Sequence, residues 1–494
     1  MRIALLFLCL STSLFAQGFG QLPAFRAAGV IKPASGGGGV TTPTLVQWMD
    51  GCEMDNTGQS VASSGKITCF LPNPTQSSNC IILFFRTDAT SITGVTDDKG
   101  NTWTKATNSP SRMNAIYYTT NCAASTRRIF VQVGSTTTLF TYWAGEFAGI
   151  ALSAALDKAA ATGNETQHGP GGITSGSMTP SVSGDMIIQF ISNSSPFERP
   201  TNYVVGTAGS PNITWQLCDS DMYDTVGAAW GIYSSTSAIN PSITIGGSAP
   251  QHMDSVAAAF KAATGAGAGN LATGMRIVGI QCNTVEFGDT TGQTNQYPVS
   301  GNLHVVACSS GDEDLSTVPT DSESASWYAT GARTGAGLNA VRFYYRTNAP
   351  SNNSLRVIYT LDGTPSDLGV YLIDIAGANS FPFSGGTDDV LTNGNETGTG
   401  NNTMLSIVPS TASGLAFGVN SIDFNTVTNV NSPWLQLSGF LPVNNAGNTP
   451  YFENNGFAVY PVSSTNSTAL TWTFQSGLGA NVGNWSCRAV FFKQ

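Results

Sequence analysis

The segment Asp97–Asn121, DDKGNTWTKATNSPSRMNAIYYTTN, returns later in the chain as Asp321–Asn348, DSESASWYATGARTGAGLNAVRFYYRTN. In each copy a polar turn leads to a Trp (Trp103, Trp327), then a loop, then a run ending in a Tyr pair, Tyr117-Tyr118 and Tyr344-Tyr345. The offset is 224 at the Trp (327 − 103), 227 at the Tyr pair (344 − 117) and 231 at the tetrapeptide GNET (394 − 163). Cys52 and Cys282 are 230 apart, and the last apolar runs, from Ser255 and Ser486, are 231 apart. Anchors kept in one order over such a span indicate copied domains, not a solenoid of short repeats. Two domains are therefore expected, 45–262 and 275–494, each large enough to bury a sizeable core.

Within each domain, short alternating or β-branched runs recur between Gly, Asn, Ser and Asp turns. Cys80 to Arg86, Thr138 to Phe147 and Asp185 to Ile191 are examples in the first domain; Leu303 to Cys308, Ala340 to Arg346 and Trp485 to Phe492 are examples in the second. That spacing predicts antiparallel sandwiches. No window carries a sustained period of 3.6 with helix caps. Some ten strands in the second domain exceed an immunoglobulin domain's complement, so the expectation is all-β: two tandem jelly-roll-like sandwiches related by internal duplication. Residues 17–44 read as a flexible leader and 263–274, rich in Gly and Ala, as a linker and candidate hinge.

Met1-Arg2 and the apolar run Ile3 to Ala16 have the form of a signal peptide, too short to span a bilayer. The expected location is secreted, extracellular or at a cell surface, with no transmembrane segment after processing. Export makes disulfides plausible: of 9 Cys, removing Cys9 leaves 8, five in the first domain and three in the second, with no connectivity fixed by spacing. Charged residues are 10% of the chain and the net charge is −10. No Lys/Arg cluster offers the phosphate neutralisation that nucleic-acid binding needs, so DNA and RNA are excluded as partners.

The order Asp97-x-x-Gly100-Asn101-Thr102-Trp103, then NAIYYTTN, YWAGEFAG from Tyr142, GNET, TPSVSGDMIIQF and a closing AAAFK resembles an uncharacterised extracellular domain. That domain occurs, often in tandem, in large exported proteins of environmental bacteria. The resemblance implies a sandwich fold and surface display, not a reaction. In the second copy Ser322-Glu323-Ser324-Ala325-Ser326 replaces the first copy's turn, so a role for that turn need not be shared.

No G-x-S-x-G elbow and no H-E-x-x-H arrangement occurs, and no catalytic residue is assigned. His304 lies in an apolar run and reads as a strand residue with one satisfied hydrogen bond; His168 and His252 read as loop residues. Asp219, Asp221 and Asp224 are read as a short acidic turn that can converge on Ca²⁺. Asp97-Asp98-Lys99-Gly100-Asn101 resembles a calcium-loop fragment but is equally an Asx turn. A glycoside hydrolase needs two facing carboxylates, which Glu146, Glu165, Asp185, Glu198 or Asp224 could supply.

Sugar rings stack on exposed planar side chains. Tyr117, Tyr118, Tyr344, Tyr345, Trp215 and Trp434 are the candidate ligand-binding residues. Because adjacent strand residues point to opposite faces, one Tyr of each pair is expected inward and one outward. N-x-S/T sequons, Asn466 among them, are as frequent as an Asn-, Ser- and Thr-rich composition produces. The sequence thus predicts a secreted, non-enzymatic surface or matrix protein that binds a polysaccharide or other cell-surface or matrix polymer weakly. The alternatives are a secreted carbohydrate-active enzyme and a structural subunit that self-associates through edge strands.

Overall fold

The computed structural model describes residues 40–494 apart from 56–62, 194–201, 205–215, 222–225, 247–250, 265–273, 286–290, 311–316, 332–339, 361–367, 396–400, 423–426, 439–455, 475–483 and interruptions of one to three residues. Some side chains within strands also lie outside the description. The described residues are all-β, in stacked antiparallel sheets.

In residues 44–148 eight main strands form two sheets, and a two-residue strand, Met54–Asp55, adds to the edge of Leu139–Ala148. The first strand (Thr44–Asp50), eighth (Leu139–Ala148), third (Cys80–Thr87), sixth (Asn114–Thr119) and fifth (Thr104–Asn108) pair in that order. The second (Lys66–Phe70), seventh (Arg128–Val133) and fourth (Ile92–Asp97) make a three-stranded sheet. This is a jelly-roll order. It recurs in residues 156–260, where Leu156–His168, Gln251–Phe260, Asp185–Asn193, Val226–Tyr233 and Gln216–Asp221 make the five-stranded sheet. It recurs again in 276–376 and 389–493. Each expected sandwich of some 220 residues is therefore two units of this strand order, four in all, the third with two strand positions split so that it has ten strands.

The strands' sequences reflect their layers. Cys80–Thr87, CIILFFRT, is buried at every position because its sheet is covered on both faces. Ile81, Leu83 and Phe85 pack on the small sheet of their own unit with Ile67, Ile129 and Val131. Ile82 and Phe84 face the five-stranded sheet of the second unit, meeting Ile188, Phe190, Val256 and Phe260. The outer strand Arg128–Val133 instead alternates buried and more exposed positions. Units three and four repeat the layering, with Val305, Phe343 and Ile373 against Phe417, Phe457, Val490 and Phe492.

The two halves are not beads on a hinge. Thr44–Asp50 runs parallel to Arg276–Val285, pairing Trp48 with Gly279, Met49 with Ile280 and Asp50 with Gln281, and so fuses the large sheets of units one and three into an 11-stranded sheet. Trp48 enters the core between units one and two, and Met49 enters the core between units three and four. Neighbouring strand residues point to opposite faces, so the second and fourth units cover opposite faces of the shared sheet. Asn73 seals the seam: its Nδ2 donates to Ile277 O (2.6 Å) and Gln47 Oε1 (2.9 Å), and its Oδ1 accepts from Ile277 N (3.3 Å). The ends of the expected leader and linker also pair, Val40 with Thr264 and Thr41 with Ala263.

No disulfide forms among the described residues; Cys69, Cys80, Cys122 and Cys308 are buried free thiols. Burial pushes the Cys122 thiol up to about 12, so it is not a reactive nucleophile at neutral pH. No helix among the described residues is long and apolar enough to cross a membrane.

The seam makes a direct prediction. A Cβ at Gly279 would stand 2.2 Å from Trp48 Cε2, inside a buried contact, whereas one at Gly94 meets nothing within 4 Å. Gly279→Ala is expected to lower the unfolding free energy in urea by about 1–3 kcal/mol, and Gly94→Ala to change it little.

Candidate functional site

The repeated D-(x)5-W segment proves to be a scaffold. Asp97 Oδ1 accepts from Lys99 N (2.8 Å) and Asn101 N (3.1 Å), while Oδ2 accepts from Trp103 Nε1 (2.7 Å). Asp321 does the same with Glu323 N (2.9 Å), Ala325 N (3.0 Å) and Trp327 Nε1 (2.9 Å). The turn needs one left-handed residue, supplied by Gly100 (φ 75°) in one copy and Ser324 (φ 56°) in the other. That is why its intervening residues can change. With the carboxylate lone pairs taken by N–H donors, the turn is explained without Ca²⁺.

The candidate aromatics do not form one face. Tyr117 stacks on Phe85 (ring centroids 5.7 Å) and Tyr118 meets Phe260 edge-on (5.2 Å); both are half-buried. Tyr344 is fully buried, its hydroxyl 2.8 Å from Thr317 O and 3.2 Å from Tyr359 Oη. Trp434 is buried and donates to Ala469 O (3.1 Å). Both residues therefore serve packing, because each polar tip finds its partner inside. Trp215 lies outside the described residues. Asp219 and Asp221 stand in the edge strand Gln216–Asp221, paired with Ala228 and Val226, instead of in a turn; Asp224 lies outside the described residues. Among the described residues no three His, Cys, Asp or Glu side chains gather as a metal-binding group.

Tyr345 is the one candidate with solvent-facing aromatic neighbours. It lies between Tyr328 (5.7 Å) and Phe383 (5.7 Å) over Phe492 (5.8 Å). Tyr328 is 55% exposed, and Phe381, two residues before Phe383, is 80% exposed. The Phe381-Pro382-Phe383 loop is fastened by Lys493 N donating to Pro382 O (2.7 Å), Phe381 N to Asn379 Oδ1 (3.0 Å) and Lys493 Nζ to Ser384 Oγ (2.6 Å). In the first half Thr104 occupies the position opposite Tyr118 that Tyr328 occupies opposite Tyr345, so the ledge belongs to the second half alone. The sequence signal for it was the apolar triad Phe-Pro-Phe inside a Ser/Gly/Asn turn.

The carboxylates offered for glycoside hydrolysis are not brought together across a cleft among the described residues. Glu146 is fully buried and receives Gln47 Nε2 (2.6 Å), Asn79 Nδ2 (2.5 Å) and Gln76 N (2.8 Å). Burial raises its carboxyl while those hydrogen bonds pull it back. The side chains of Glu165 and Glu198, like Asp224, lie outside the description. Asp185 is buried beside Asp157; burial first, then Asp157, pushes its carboxyl up to about 7. His304 is buried 3.6 Å from Asp374, and neither ring nitrogen finds a hydrogen-bond partner among the described residues, against the one expected. Burial first, then Arg346, holds its pKa down to about 3, so the ring is neutral and is no base poised near pH 7.

No family model, curated protein or solved structure matches the chain.

These two groups pull stability in opposite directions. His304 folds neutral, so the unfolded chain takes up a proton that the native state refuses as pH falls from 6.5 toward 3, and stability is lost over that window. His304→Gln is expected to flatten that limb, removing a slope approaching about 1.4 kcal/mol per pH unit in urea titrations. Asp185 holds its proton more tightly folded than unfolded, so its contribution is full below 3.8 and lost as pH rises through about 7. With Lys261 replaced by Arg in both proteins, Asp185→Asn is accordingly expected to raise Tm at pH 8 and to leave it nearly unchanged at pH 4, as read by scanning calorimetry.

Proposed function

We propose that this is an exported, non-enzymatic surface or matrix protein that holds an uncharged polysaccharide weakly on the ledge formed by Tyr328, Tyr345, Phe381 and Phe383. The observation that carries the reading is the exposure of Phe381 and Tyr328 on a fastened loop and strand, beside the packed rings of Tyr345 and Phe383. Large aromatic surface left in water on a rigid frame costs hydration free energy and suits stacking against the apolar C–H face of a sugar. Lys493 is the cation of this loop and is tied to Ser384, which favours a neutral chain over an acidic one. The apolar N-terminal run and the resemblance to exported bacterial surface domains support the location. Because the ledge occurs once among the described residues, avidity would come from many copies on a surface and not from the two halves of one molecule.

The test is retention of the mature protein on a panel of insoluble neutral and acidic polysaccharides, with and without Ca²⁺, reading released sugar alongside. Retention on neutral polymer without release is expected. Stacking at about 0.5–1.5 kcal/mol per ring implies that Tyr328→Ala with Phe381→Ala weakens it at least about fivefold. Unchanged retention in that double variant removes the ledge from the reading, and sugar release replaces the reading with an enzyme.

A further inference from the structure

Three strand ends of the second unit bring together a lysine and two acids. Lys261 directly follows the central strand Gln251–Phe260; Asp157 sits in the neighbouring strand Leu156–His168, and Asp185 opens the strand on the other side. A register shift between Leu156 and Lys158 makes Asp157 the extra residue of a bulge. Lys261 Nζ lies 3.9 Å from Asp157 Oδ1 and donates to Ala154 O (3.2 Å), with its side chain 34% exposed and that of Asp157 5%. Asp157 also accepts from Ser181, Oδ2 from the backbone N–H and Oδ1 from the hydroxyl. The fourth unit keeps this Asp/Ser contact, Asp388 taking Ser410 N (2.9 Å) and Oγ (2.7 Å). It has Gly414 where the second unit has Asp185: Met186 pairs with Phe260 as Leu415 pairs with Phe492. The frame therefore does not require the second acid, and Asp185 is buried with its carboxyl against that of Asp157.

We propose that Lys261 and Asp157 condense to an intramolecular amide that staples the first strand of the second unit to the end of its last, with Asp185 moving the protons. The inference goes beyond the binding reading and does not depend on it. In the step, Asp185 as carboxylate takes one proton from the Lys261 ammonium, the freed lone pair of Nζ attacks Cγ of Asp157, the N–C bond forms and the C–Oδ1 bond breaks. Oδ2 becomes the amide oxygen, with Ser181 N–H placed to stabilise the charge it carries in the tetrahedral intermediate. The ammonium begins with three protons and the carboxylate with none; two leave with Oδ1 as water and one stays on the amide nitrogen. Asp185 passes the proton it took from the nitrogen to Oδ1 and a second nitrogen proton follows it, so that Asp185 ends unchanged; its carboxyl, pushed up to about 7, can take and give a proton near neutral pH. Reactants held this near to attack distance on fixed strands need no external energy source beyond the loss of water.

The test is the intact mass of the reduced, purified mature protein, with tryptic mapping. The expected mass is one water, about 18 Da, below that of the chain with the observed N-terminus. Lys261 should be uncleaved and joined to the peptide ending at Lys158. Lys261→Arg should restore the full mass, and Asp185→Asn should leave most chains unlinked while folded, as judged by its thermal transition. A wild-type protein of full mass with Lys261 cleaved by trypsin overturns the proposal, as does a deficit that persists in Lys261→Arg. Neither result bears on polysaccharide retention, so the two readings fail separately.

Discussion

The parallel pairing of Thr44–Asp50 with Arg276–Val285 is the contact on which the rest of the structure depends. A strand in that position has neighbours on both edges and a core on both faces, so every side chain it carries must satisfy a buried environment. Trp48 and Met49 are adjacent in sequence yet belong to the cores of different halves. The tolerance at Gly279 is correspondingly narrow, because Trp48 lies where a Cβ would be. An edge left open on either half would expose an unpaired ladder; joining the halves removes both edges at once.

Burying so many sheets creates the polar problem that the remaining structure answers. Glu146 in one half and Asp374 in the other sit near the ends of equivalent strands and accept from loop N–H groups, Gln76 N and Gly301 N (2.8 Å each). Asp97 and Asp321 organise the turns that carry Trp103 and Trp327. In a chain with 10% charged residues, the described acids act largely as internal acceptors that fix loops. What stands out against this background is a group with no such duty. Asp185 is the clearest case among the acids, and the Tyr328–Phe381 ledge is the clearest among the aromatics. Proposals about chemistry and binding rest on these two because packing does not account for them.

Several elements were legible in the residues alone. The runs Cys80 to Arg86 and Asp185 to Ile191 carry enough β-branched and aromatic bulk, between enough Gly and Ser turns, to be strands in any fold. The D-(x)5-W turn and the Tyr pair marked the longer period. The shorter period, one jelly-roll unit in about 110 residues, was not legible, because a jelly roll constrains which positions are apolar and not which residues fill them. Asp219 and Asp221 read as a turn since Asp is depleted in strands; on the edge of a five-stranded sheet that preference is overridden, and charges there discourage further pairing. Tyr344 and Tyr345 differ in exposure for a reason outside their own strand: the layer over Tyr344 is complete, with Thr317 and Tyr359 at its hydroxyl, while the loop over Tyr345 is not.

The sequence by itself determined that this chain is all-β, sandwich-like and poor in charge, since strand period, turn chemistry and composition are local properties that each stretch carries alone. Only the tertiary structure decided that the units number four, that two of them share a sheet, and that Lys261, Asp157 and Asp185 meet at one end of the second unit. Those are relations between residues as much as 231 positions apart (279 − 48), set by strand order and register, and no local pattern encodes which strand becomes whose neighbour.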